Sequence, residues 1–81
     1  MLSSRTVFHV LRKPAAQSWV VIMEQSGNFR LEYRTKDQAV EAAHELAREQ
    51  EPSQVKVHNE NGMVEHQISY GLDPTTHAPN G

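Results

Sequence analysis

The chain has 81 residues, no cysteine and a formal net charge of −2. That length holds one domain near the size at which a single core just suffices, and the lack of cysteine excludes disulfides and thiolate metal sites. The mild acidity weighs against a duplex nucleic-acid binder, which presents a basic surface, and no apolar stretch approaches the roughly 20 residues of a membrane span.

Taken in order, Met1 to Ser4 reads as a frayed start without a basic region and apolar run, so a cytoplasmic chain is expected. Arg5 to Arg12 reads as a first strand, with Val7, His9 and Leu11 on one side and Phe8 and Val10 on the other. Pro14 opens a loop, because it lacks an N–H for strand pairing. Trp19 to Glu24 is a second strand, Gln25 to Asn28 a turn, and Phe29 to Arg34 a third, alternating strand. Thr35 and Gln38 form a capping box, and Asp37 suits the positive end of the helix that follows. Ala39, Val40, Ala42, Ala43, Leu46 and Ala47 share one arc at 3.6 residues per turn. Small side chains there let the helix lie close on a sheet. Pro52 ends it.

The clearest stretch is Val55 to Ile68, a hairpin whose Asn61-Gly62 pair suits a two-residue type I′ turn. That turn sets Glu60 opposite Met63, Val57 opposite His66 and Val55 opposite Ile68. The order is β-β-β-α-β-β: an α+β two-layer sandwich, with an antiparallel meander, a closing hairpin and one helix packed on a sheet face. A single domain over residues 5–74 is expected, with flexible termini at 1–4 and 75–81.

The residues His9-Val10, Trp19-Val20-Val21, Ala39 to Ala47, Val57-His58, Gly62 and Ser69-Tyr70-Gly71-x-Asp73-Pro74 resemble those of a bacterial family of small proteins, the domain-of-unknown-function family numbered 2188. The likeness runs from His9 to Pro74. Ser18 and Asn59 stand where the family pattern has glycine. The resemblance implies the fold and a bacterial source. It supplies no activity and no catalytic residue.

Function is less legible. The five histidines show no ligand spacing and no cysteine beside them, so no metal and no cofactor is expected. There is no nucleophile elbow and no phosphate loop, and Glu41, Glu45 and Glu49 form a solvated helix stripe, so no enzyme and no small-molecule substrate is expected. The second strand is apolar on both sides. With a four-residue loop at Gln25–Asn28, Ile22 pairs with Leu31 and Val20 with Tyr33 toward the helix. Trp19, Val21 and Met23 then face outward; a three-residue loop inverts the faces. An outward apolar strip is unusual for a free surface: either the C-terminal tail covers it or another chain does, and a protein partner or a second copy is expected. The same open face would gather Arg30, Arg34 and His58 near Trp19, which gives nucleic acid as the alternative through base stacking. Tyr70, beside Gly71, is the remaining candidate, either for recognition or for closing the core.

Overall fold

The computed structural model of the protein describes residues 5–71. The expected flexible ends, and Leu72, Asp73 and Pro74 of the closing motif, lie outside the described residues. The architecture is the expected α+β one. Strands β1 (Thr6–Lys13), β2 (Ser18–Met23) and β3 (Ser26–Tyr33) precede helix α1 (Lys36–Glu49), and β4 (Ser53–His58) and β5 (Val64–Tyr70) follow. A short 3-10 turn at Pro14–Ala16 links β1 to β2. All five strands join one sheet in the order β3-β2-β1-β4-β5. The meander and the hairpin meet through a parallel pairing of β1 with β4, Val10 opposite Val57. β3 and β5 are therefore the edges.

Helix α1 starts where the capping box places it: the Thr35 side chain accepts from Gln38 N–H at 3.1 Å. Its alanine arc does what small side chains permit. Ala39, Ala43 and Ala47 are fully buried against Phe8, Val10, Trp19, Val21, Val55 and Val57. Val40 and Leu46 pack at the rim. Past the helix end, the Ser53 hydroxyl donates to the Ala47 carbonyl at 2.5 Å and ties β4 to α1. No helix among the described residues is long and apolar enough to cross a membrane.

Two turns differ from expectation, and one of them redirects a whole strand. In the β2–β3 connection, Glu24 and Gln25 alone form the loop, with Met23 opposite Ser26. The turn is anchored to β1: Glu24 N–H donates to the Val7 carbonyl at 2.8 Å, and the Gln25 side chain donates to the Arg5 carbonyl and accepts from Val7 N–H. The register then slips at a bulge, so that Ile22 faces Arg30, Val21 faces Leu31 and Trp19 faces Tyr33. This is one residue from the four-residue-loop register, and a one-residue slip exchanges the faces of a strand. Trp19, Val21 and Met23 consequently point to the helix, and Val20 and Ile22 to the open side. Burial of the large indole favours this register; Phe29 also reaches Phe8 edge-on, at 6.0 Å between ring centroids.

The β4–β5 hairpin keeps the expected pairs of Val55 with Ile68 and Val57 with His66, but shifts at His58, which lies opposite Val64. Its turn is not the two-residue type. Only Gly62 has positive φ, +88°, and Gly62 N–H donates to the Asn59 carbonyl while Asn59 N–H donates to that of Met63. The Asn59 carboxamide oxygen accepts from Asn61 and Met63 N–H. A side chain that satisfies two turn amides favours this longer loop over the Asn61-Gly62 form. β5 is mostly exposed, His66 included.

Candidate functional site

The seven residues singled out from the sequence separate onto different parts of the fold. Trp19 is 9 % exposed and Val21 fully buried, both in the core under α1. The outward strip of Trp19, Val21 and Met23 is therefore corrected: the register slip turns it inward. Met23 packs at the edge of the same core. The cation over the Trp19 ring is Lys36, at 5.6 Å. Lys36 also pairs with Glu65 on β5. Arg30 is exposed on the open face opposite Ile22, and Arg34 is exposed in the bend after β3. His58 is half-buried on the open face, and Tyr70 half-buried on the helix side.

What the open face does assemble is a histidine pair. In β1, His9 lies opposite Ile22 on one side and Lys56 on the other. Its Nδ1 is 2.9 Å from His58 Nε2, and the rings are 5.1 Å apart. His58 Nδ1 lies 3.0 Å from the Gly62 carbonyl. A carbonyl only accepts, so His58 carries its proton on Nδ1 and, when neutral, accepts at Nε2 from His9 Nδ1–H. His9 Nε2 then faces the Glu24 carboxylate at 3.8 Å. The pair floors a shallow depression of about 400 Å³, also lined by Leu11, Ile22, Phe29 and Arg30. Among the described residues, no group of three histidine or acidic side chains is placed to hold a metal ion.

Burial holds the His9 pKa below its ordinary value of 6.5; nearby His58 and Lys56 act the same way, and Glu24 opposes them. His44 on α1 is lowered too, by burial first and then by Arg48 and His66. A histidine depressed in the folded state binds fewer protons there than in the unfolded chain. Its contribution is full above 6.5 and is lost as pH falls from there toward the folded pKa. Urea denaturation should thus give a lower midpoint at about pH 5.5 than at about pH 7.5. The fall should be smaller in His9→Gln, and an equal fall in both would remove His9 as a source.

Tyr70 closes the core under the helix end, as the structural reading of its sequence position expected. Its hydroxyl is 2.7 Å from His44 Nδ1, Arg48 lies 5.9 Å from its ring, and it packs on the central cluster. Gly71 beside it has φ +68°, and a Cβ there would sit 2.7 Å from the Glu51 Cβ. Left-handed backbone costs an L-residue about 1–2 kcal/mol before any clash. Gly71→Ala should therefore lower the thermal midpoint by roughly 5–10 °C in a calorimetric scan, and an unchanged midpoint would refute the strain.

Sequence reasoning missed His9, Leu11 and Ile22 as site residues. No spacing within one strand announces the His9–His58 pair, because it arises from the parallel contact of β1 with β4, 49 residues apart in sequence. The second edge of the helix carries a separate shallow groove, lined by Tyr33, Gln38, Glu41, Ala42 and Glu45.

No curated protein and no solved structure matches this chain. One family model does, over residues 8–70, and its description is an uncharacterized protein conserved in bacteria. That match spans β1 to β5, from the Phe8 of the core to the Tyr70 that closes it. The chain belongs to that bacterial family, DUF2188.

Proposed function

We propose that this protein is a non-catalytic interaction module that binds another polypeptide, a second copy included, by adding a strand to an edge of its sheet. The observation that supports this is the pair of open edges. Among the described residues β3 and β5 each have one neighbour in the sheet, and an unpaired edge presents a row of main-chain donors and acceptors to any extended segment. On β3, Leu31 is 37 % exposed, between half-buried Phe29 and Tyr33. Catalysis has less to stand on: the His9–His58 pair sits in a depression open to solvent, with His9 Nδ1 and both His58 nitrogens engaged by one another and by Gly62.

The nucleic-acid alternative loses its stacking surface with Trp19 under the helix, and Glu32 shares the open face with Arg30. An electrophoretic shift at low salt, the most permissive condition, tests it directly.

The test of the module is photo-crosslinking in the native bacterium from probes at Leu31 and Ile68 on the edges, with Glu45 on the exposed helix face as control. Polypeptide adducts from an edge position and not from Glu45 are the expected result. Adducts from none of the three would end the reading.

A further inference from the structure

We infer that β3 is a self-complementary edge that pairs antiparallel with β3 of a second copy about a two-fold axis at Leu31, joining two five-stranded sheets into one. The inference rests on the interaction reading above and names its occupant.

The regular part of β3 is short. The bulge leaves Gly27, Asn28 and Phe29 without an opposite residue on β2, while Arg30 to Tyr33 follow one unbroken register. Thr35 already caps α1. Among the described residues this edge has no second neighbour, and the segment from Phe29, the strand residue just before that register, to Tyr33 has Leu31 at its centre. A homodimeric interface uses one patch twice, so the residue at the axis meets itself and its neighbours exchange. About Leu31, Arg30 of each copy lies opposite Glu32 of the other, and Phe29 opposite Tyr33. The first pairing makes two ion pairs on the open face. The second sets two aromatic pairs on the helix face, flanking a Leu31–Leu31 contact. Directly opposed unlike charges and aromatic pairs both stabilise antiparallel strands.

The neighbouring registers fail on the same grounds. An axis at Arg30 sets arginine against arginine, and an axis at Glu32 sets glutamate against glutamate; like charges directly opposite are unfavourable. The charges of the protomer fit as well. Among the described residues Arg30 makes no ion pair, whereas Glu32 accepts from Ser18 and meets Lys13 at 3.3 Å. The Ser18 and Lys13 contacts, and the charge of Arg30 on the same strand, hold the Glu32 carboxyl below its usual pKa. The other edge offers no such match. Self-pairing about the centre of β5, Gln67, sets Glu65 against Ser69 and Val64 against Tyr70.

Sedimentation velocity of the full chain across a broad concentration range, with heteronuclear NMR to confirm folding, tests this. Arg30→Glu and Glu32→Arg each place two like-charged contacts in the dimer, and each should weaken self-association by about tenfold or more. An equimolar mixture of the two variants restores both ion pairs in a heterodimer and should recover the wild-type affinity. Gln67→Lys on β5 should leave the dimer unchanged. A dimer insensitive to both β3 changes, or lost only in Gln67→Lys, would overturn the β3 axis and leave the interaction module standing. A wild-type chain that is monomeric at every concentration would overturn self-pairing, and the edge crosslinks then decide the module separately.

Discussion

Trp19→Ala should destabilise the protein by about 3–5 kcal/mol, the range for emptying a buried aromatic site. The ring is 9 % exposed and belongs to the cluster formed by Phe8, Val10, Val21 and the three buried alanines of α1. Its removal loses the transfer free energy of the indole and leaves a cavity that backbone pairing on both sides of β2 keeps from collapsing. In a domain whose total stability falls in the usual range of about 5–15 kcal/mol, that is a large share. Urea unfolding followed by far-ultraviolet circular dichroism measures it, since the variant has no tryptophan to report by fluorescence. The wild-type chain gives a companion test: its tryptophan emission should be blue-shifted and should move red on unfolding. A cost under about 1 kcal/mol, typical of a surface change, would return the ring to the outward face.

Ala43→Glu should be as damaging, again about 3–5 kcal/mol, the range for an uncompensated buried charge. Ala43 is fully buried at the centre of the helix seam, one turn from Ala39 and one from Ala47. Every apolar neighbour across the seam lacks a group to pair with a carboxylate, so the helix must lift or the group must take up a proton. The expected signature is a low urea midpoint that partly recovers as pH falls toward the carboxylate range, opposite in sign to the histidine-driven loss of the wild type. Glu41→Ala on the exposed face is the control and should shift the midpoint little. Equal effects at the two positions would mean that the alanine arc does not define the seam.

The sequence alone carried the elements and their order. The 3.6-residue spacing of the alanines set the buried helix face, Thr35 and Gln38 set its start, and alternation from Val55 to Ile68 set the hairpin pairs in its lower half. Each depends on neighbours along the chain. The hairpin turn was less legible, because the Asn59 side chain competes for the turn amides, and the two hydrogen bonds it accepts there favour the longer loop.

What only the assembled sheet decided lies between distant segments. The period of two along β2 fits either face, since Trp19, Val21 and Met23 on one side and Val20 and Ile22 on the other are all apolar. The choice fell to the anchoring of Glu24 and Gln25 on β1 and to the bulge that absorbs the slack in β3. The same holds for the histidine pair, which exists because β1 lies parallel to β4 at the centre of the sheet. Periodicity tells a strand which residues travel together; the contacts that hold its two sides tell it which way they face.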